Sequence, residues 1–355
     1  MKQLIIQSHK GPYAVDFGAE PFGILEEYPT TETHYLVDRQ VAKLYSKQLT
    51  PILSNRSVLL IDANEYSKSL SNLETYIESL VNHSIRRDHT LVAVGGGVIQ
   101  DITCFLASTL FRGMSWEFIP TTLLAQADSC IGSKSSINVT SVKNLLGTFY
   151  PPRRIVISHE FLQTLSSADF RSGVGEMLKV HIIEGPSAFE EIAKAYTQFS
   201  KDPPLLEHFV FESLRIKQKF AECDEFDKGA RNVMNYGHSF GHAIEVATNF
   251  AIPHGIAVTL GMDLANYVAF NSGRIAKNHY DEMSSVLQTN AAEFLDTSID
   301  LDAFIQAIGK DKKNVGNDLG LILLDSNLMV EKVRMKNDDT FRHLCASYLE
   351  KRNAA

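Results

Sequence analysis

The hydrophobic pattern changes period near Ser158, and no other feature constrains the fold of this chain more strongly. Before that point short apolar runs alternate with helical stretches. Residues 4–6, 58–61, 90–94, 116–119 and 155–157 read as buried strands, and 74–81 reads as the end of a helix leading into the third of them. Strands alternating with helices predict a mainly parallel sheet covered by helices. After that point, 169–184, 204–222, 235–249, 255–271, 279–290 and 301–309 carry apolar residues at helical spacing. One late run, 319–324, reads as a short strand. The expectation is an α/β domain followed by a largely helical one, with the tail 351–355 fraying.

Of the 355 residues, 44% are hydrophobic and 21% charged, a balance that suits a soluble globular protein. The formal net charge of -8 argues against a nucleic-acid partner. No apolar run reaches the length of a bilayer span, and the start, MKQLIIQSHK, lacks the apolar core of a signal peptide. Cys104, Cys130, Cys223 and Cys345 are widely spaced and form no CxxC pair. They read as reduced packing residues of a cytoplasmic protein.

Gly95-Gly96-Gly97 follows the strand at 90–94 directly, and a helix is expected to begin near Asp101. Glycines at such a turn let main-chain N–H groups approach a phosphate, and a helix N-terminus favours the negative charge. The spacing is not G-x-G-x-x-G, so a tight strand-to-helix turn needing positive φ is an equal alternative. Thr121 and Thr122, after Pro120, offer hydroxyls to a nucleotide.

Residues 235–242 read NYGHSFGH, and Pro253-His254-Gly255 follows. His238 and His242 are four apart and share one helix face, and neutral imidazole is the commonest transition-metal ligand. Taken alone, these two are the metal pair, with Glu245 nearby. HxxxH without a glutamate directly after the first histidine is not the zinc-protease motif, and either ring could instead be a buried structural histidine. Glu176 and Lys179, three apart, would be an ordinary pair on an exposed helix. Gly175 and the apolar flanks point to a more crowded site, where the carboxylate could complete a metal site with an open position. Lys134, Lys143, Lys217, Arg231, Lys312 and Lys313 supply cations for an anionic substrate.

These segments in this order resemble the 3-dehydroquinate synthases and their relatives, the sugar phosphate cyclases. The resemblance runs over nearly the whole chain. It is carried by Glu65-Tyr-Ser-Lys68, Gly95-Gly-Gly-Val-Ile-Gln-Asp101, Phe111-Arg-Gly113, Pro120-Thr-Thr-Leu-Leu-Ala-Gln-Ala-Asp-Ser129, Lys143-Asn144, Gly175-Glu-Met-Leu-Lys179, the 235–242 run and Pro253-His254-Gly255. It implies a Rossmann-like α/β domain over 1–160 that binds NAD, and an all-α domain over 161–355 that binds metal and substrate. It implies that Glu176, His238 and His254 bind zinc or cobalt, which moves His242 from ligand to substrate site. Asp38, Glu65, Lys68, Gly96, Gly97, Asp101, Thr121, Thr122 and Lys143 match positions around NAD. Arg112, Asp128, Lys134, Asn144, Lys179, Lys217, Arg231, Asn235, His242 and Lys312 match positions around the substrate. Arg112 is expected to reach across the interface of a homodimer.

The reaction implied is a phosphate-eliminating cyclisation. A secondary alcohol is oxidised transiently by NAD, the adjacent C–H is acidified, phosphate leaves, the hydride returns, the ring opens and an aldol step closes a carbocycle. Lys134, Lys179, Arg112 and His242 would hold the phosphate, and Lys217 and Arg231 the substrate carboxylate. Three departures from the family pattern stand out. Gln100 replaces a glycine, Ser133 and Ser136 stand in a loop the family fills with Gly-Lys-Thr-Gly, and Ser158-His159-Glu160 stands where an aspartate is usual. The added Cβ atoms at 133 and 136 are expected to narrow that loop. Lys217, Arg231, Asn235 and His242 keep the form of enzymes acting on 3-deoxy-arabino-heptulosonate 7-phosphate, which is therefore the expected substrate, because buried cations left unpaired would be costly. Sedoheptulose 7-phosphate, glucose 6-phosphate and an amino analogue are the alternative substrates. Rival readings are a metal-dependent alcohol dehydrogenase and a non-catalytic binding protein.

Overall fold

The computed structural model describes residues 2–18, 20–54, 57–140, 142–311 and 313–353. The chain divides into two compact units, 1–165 with 210–226, and 166–209 with 227–355.

The first unit is built on a seven-stranded sheet. Its strands are β1 (Lys2–Ile6), β2 (Tyr13–Phe17), β3 (Thr33–Asp38), β4 (Val58–Ile61), β5 (Thr90–Gly95), β6 (Ser115–Pro120) and β9 (Arg154–Ile157). They lie in the order β1-β2-β9-β6-β5-β3-β4, and only the β1–β2 pair is antiparallel. Val37, Val92, Val94, Ile119 and Val156 from four of the parallel strands pack with Leu25, Val41, Tyr45 and Phe161 in one apolar core. Such strands are buried on both faces, which is why they read as continuous apolar runs. The register sets Val37 opposite Val94 and Gly95 opposite Pro120. Asp38, Gly96 and Thr121, each at or just beyond a strand end, therefore lie along one carboxyl edge of the sheet. That edge is where open α/β sheets bind ligands.

A separate antiparallel hairpin, β7 (Lys134–Val139) with β8 (Val142–Phe149), belongs to the same unit. The stretch 210–226, which sequence periodicity assigns to the helical domain, groups here with the sheet. The Phe211 ring meets Phe17 edge-on at 5.1 Å, and Glu222 accepts from the Gln7 amide at 2.8 Å.

Among the described residues the second unit is helical except for one antiparallel hairpin, β10 (Asp318–Leu324) with β11 (Val330–Lys336). Its central helix, His254–Asn271, is buried continuously from Gly255 to Ala269. A helix apolar all round has to sit inside a bundle. Ser167–Glu184, His238–Ala247 and Lys277–Asn290 pack around it. Of the tail expected to fray, 351–353 are helical: the last helix runs Asp339–Asn353, and buried Arg352 donates to the Thr297 carbonyl, while 354 and 355 lie outside the described residues. No helix among the described residues is long and apolar enough to cross a membrane.

Candidate active site

In the second unit the site starts from two glycines. A Cβ on Gly175 would collide with the Gly255 carbonyl and the Thr259 hydroxyl, and one on Gly255 would collide with the Ser172 carbonyl. Without side chains there, the helices Ser167–Glu184 and His254–Asn271 cross main chain against main chain. That crossing brings Glu176 beside His254, the first residue of its helix. His238 opens the third helix, whose N-cap Gly237 has φ 75°. A left-handed residue costs glycine nothing, and here it sets the entry angle of the histidine helix.

Glu176 Oε1 lies 3.5 Å from His254 Nε2 and 3.7 Å from His238 Nε2. One carboxylate oxygen and two imidazole nitrogens lie within 4.8 Å of one another. This donor set fits zinc or cobalt, since three protein ligands leave a fourth position open. Lys179 Nζ sits 2.6 Å from Glu176 Oε2, and both side chains are buried. Burial alone would raise the Glu176 carboxyl; Lys179, His238 and His254 outweigh it and hold it well below the usual range. Burial and Lys179 push His238 down, toward the neutral form a metal requires. Burial would lower His254 too, but Glu176 and Glu245 push it up to about 10. Glu245 Oε2 faces His254 Nδ1 at 3.2 Å, the outer-carboxylate contact that orients ligating histidines.

His242 does not approach Glu176. Its ring lies 5.5 Å from His238 and 5.7 Å from His254, in a second donor group with Glu245 and His254. Helical spacing shows that His238 and His242 share a face but not which of them meets the carboxylate. Arg231 and Asn235 lie on the 3-10 helix Ala230–Asn235; Arg231 is buried, and Asn235 donates to the Asn232 carbonyl at 3.1 Å. Lys312 lies outside the described residues. Its neighbour Lys313 donates to Ser239 Oγ at 2.7 Å, on the helix that carries His238 and His242.

In the first unit Gly96 caps the helix Gly97–Thr109 with φ -86°. None of Gly95, Gly96 and Gly97 has positive φ, so the turn does not need glycine for its backbone angles. It needs glycine for space. A Cβ on Gly95 would strike Ile99, and one on Gly96 would press on Thr122 at 3.0 Å. Beside this turn the Thr121 hydroxyl is buried with no hydrogen-bond partner among the described residues, and Asp38 caps the next helix by accepting from the Gln40 amide at 2.8 Å. An unsatisfied buried hydroxyl next to a helix N-terminus fits a nucleotide, which would supply both a partner and the charge.

Lys68 Nζ donates to Asp101 at 2.9 Å and pairs with Glu65 at 3.3 Å. Burial would lower the Lys68 ammonium, but Asp101 and Glu65 outweigh it and raise it. Glu65, Tyr66, Leu70, Asn138 and Lys143 line a cavity of about 630 Å³. Asn144, at φ 54°, donates its amide to Asn138 Oδ1 at 2.9 Å. Lys217 pairs with Asp128 Oδ1 at 2.8 Å. Lys134 and Arg112 are exposed.

The serines expected to narrow the loop each acquire partners. Ser133 holds φ 63° and donates to Glu225 Oε1 at 2.6 Å. Ser136 donates its amide and its hydroxyl to the two Asp101 oxygens at 2.9 and 2.8 Å. Glu225 drew no attention in the sequence. It also accepts from Ser8 at 2.5 Å and from the His9 amide at 2.8 Å. No motif marks it, because its partners come from two distant segments, 8–9 and 133.

Comparison with known proteins gives one answer along the chain. Residues 58–172 match the model of the 3-dehydroquinate synthase N-terminal domain, and 173–314 match that of the C-terminal domain. A 3-dehydroquinate synthase of Halorhodospira halophila is 34% identical over 319 residues, covering 89% of this chain and 90% of its own. A 2-deoxy-scyllo-inosose synthase complexed with carbaglucose-6-phosphate, NAD+ and Co2+ superposes with TM-score 0.83 at 22% identity, over 99% of this chain and 100% of its own. The 2-epi-5-epi-valiolone synthase of Streptomyces hygroscopicus, with NAD+ and Zn2+ bound, superposes with TM-score 0.81 at 23% identity, over 96% and 97%. At those identities the two structures speak for the fold, an α/β portion with a parallel sheet followed by a helical region. The sequence matches go further, and by them the chain belongs to the 3-dehydroquinate synthase family.

Proposed function

We propose that this enzyme converts 3-deoxy-arabino-heptulosonate 7-phosphate to 3-dehydroquinate with elimination of phosphate. The observation that carries the reading is the buried Glu176–His238–His254 donor set with Lys179 against its carboxylate. A divalent ion held by these three residues supplies Lewis acidity toward an alcohol or ketone oxygen, and NAD supplies a hydride acceptor that is restored within each turnover.

The chain's own residues bind and orient. Gly96, Gly97 and Thr121 take the phosphates and hydroxyls of NAD at the helix N-terminus, and Glu65, Lys68, Asp101, Thr122, Asp38 and Lys143 hold the remainder. Lys179 is fixed by Glu176 and offers its ammonium to the departing phosphate, assisted by His242, Lys134 and Arg112. Arg231 and Lys217 pair with the substrate carboxylate, for which their charge is suited. Asp128, Asn144 and Asn235 hold substrate hydroxyls, with Lys312 or Lys313 as a further cation. A homodimer is part of the proposal. It rests on Arg112 and the 42%-exposed Phe111 in a loop where both have positive φ, and on Leu145 and Leu146 exposed on β8. Light scattering of the purified protein tests it.

A related cyclase acting on sedoheptulose 7-phosphate or glucose 6-phosphate is the second reading, compatible with the fold shared with a 2-deoxy-scyllo-inosose synthase and a 2-epi-5-epi-valiolone synthase. Phosphate release is to be measured with NAD and zinc on the three sugar phosphates in parallel. Release from the heptulosonate alone, without net NADH, is the expected result. Release from either of the others assigns the second reading. NADH accumulating from simple alcohols without phosphate release would make the protein a dehydrogenase.

A further inference from the structure

Gln100 sits in the helix Gly97–Thr109 at a position the family fills with glycine, and it is 5% exposed. Its side-chain amide works in both directions. Nε2 donates to the Ser129 carbonyl at 2.7 Å, and Oε1 accepts from the Ser129 hydroxyl at 2.8 Å. Ser129 ends the π-helical turn Ala125–Ser129, which is closed by the Cys130 amide on the Ala125 carbonyl at 3.0 Å. The other end is tied by Gln126, which donates to the Pro120 and Ser158 carbonyls at 2.9 and 2.7 Å. Between the two ties stands Asp128. Lys217 Nζ donates to its carbonyl at 2.6 Å and pairs with its Oδ1 at 2.8 Å.

A π-turn is a wide, rare turn found frequently at functional sites, and its end carbonyl needs a partner once buried. Glycine at position 100 has no side chain to provide one. We propose that Gln100 is a positioning residue for substrate recognition: through Ser129 it fixes Asp128, and through Asp128 it aims the Lys217 ammonium at the substrate carboxylate. The proposal rests on the cyclase reading above. A lysine is a point charge on a flexible stem, so its direction is set by what holds it. Two bonds to one residue of a pinned turn set that direction here.

Gln100→Met tests this, because it keeps length and burial but removes both bonds. Its KM for the heptulosonate phosphate is expected to rise about five- to tenfold, as for loss of buried hydrogen bonds, with kcat within about twofold. NAD affinity, read by fluorescence, is expected to stay at the wild-type value. In a Lys217→Met background, Gln100→Met is expected to leave KM where Lys217→Met alone puts it, because the two act as one unit. Ser129→Ala removes one of the two bonds and is expected to shift KM by less in the same direction. It serves as the test if Gln100→Met does not fold. An unmoved KM in either folded variant overturns the proposal, as does a full additional effect in the Lys217→Met background, which would make Gln100 a packing residue. A wild-type protein that releases no phosphate from this substrate overturns the cyclase reading and the proposal together. Wild-type turnover with unmoved variants overturns the proposal alone.

Discussion

His254 stands between two carboxylates, Glu176 at 3.5 Å and Glu245 at 3.2 Å, and only a cation satisfies both. A proton fills that role on the free ring. A divalent ion competes with it, since ligating histidine must be neutral. His254→Ala is therefore expected to abolish zinc retention and phosphate release while the far-UV circular dichroism stays as in the wild type. Full metal content in the variant would remove His254 from the ligand set. Asp263 is a different kind of buried acid. It lies inside the helical unit with Tyr348 and Gln288 donating to Oδ2 at 2.9 and 3.2 Å and no cation paired with it among the described residues. Burial pushes its carboxyl up to about 6. The folded protein thus takes up a proton near that pH, while the unfolded chain does so only near 3.8. Stability is penalised above pH 6 and the penalty is relieved as pH falls toward 4, by up to about 3 kcal/mol. Asp263→Asn carries no such dependence. Urea unfolding at pH 8 and pH 5 is expected to show the variant gaining on the wild type at pH 8 and keeping only about half of that advantage at pH 5. A stability difference independent of pH would contradict this.

At the level of elements, the crossing of Ser167–Glu184 with His254–Asn271 matters most, because the glycines that form it, Gly175 and Gly255, set the places of the adjacent donors Glu176 and His254 without being donors themselves. Gly175→Ala is expected to cost roughly 1–3 kcal/mol of stability by overpacking and to weaken zinc retention, although no donor changes. Normal metal content at wild-type stability would show that the crossing can give way. Elements also differ in how well they can be read from sequence. The parallel strands β4, β5, β6 and β9 are apolar runs, and each was legible. β3 reads THYLVD, and its buried His34 and Thr33 break the apolar run although the strand lies inside the sheet. His34 is satisfied there by Ser57 at 2.6 Å and His89 at 2.9 Å, partners no local pattern announces. β7 and β8 are polar or exposed, so periodicity had nothing to detect. The site shows the same division. Glycines, histidines and Glu176 carry motifs, whereas Gln100, Ser129 and Glu225 acquire their roles from contacts 29 or more residues away.

For the whole molecule, the two candidate ligand sites give separate handles on the two units. Each ligand stabilises what it binds, by about 2.7 kcal/mol at a concentration of 100 Kd. Hydrogen exchange is expected to show zinc protecting 172–180 and 236–256, and NAD protecting 62–70, 94–101 and 136–144. Zinc without effect on 236–256, or NAD without effect on 94–101, would separate that ligand from its assigned residues. The glycine crossing extends to the question of metal supply. Main chain resting on main chain has no side chain to yield, so the donor triangle acts as a gauge of ionic radius. Zinc, bound at about 2.0–2.2 Å by nitrogen and oxygen, passes that gauge. Calcium, which takes six to eight oxygens at about 2.3–2.6 Å, does not. In a medium rich in calcium and poor in zinc, the enzyme is expected to go unloaded rather than be loaded with the wrong ion.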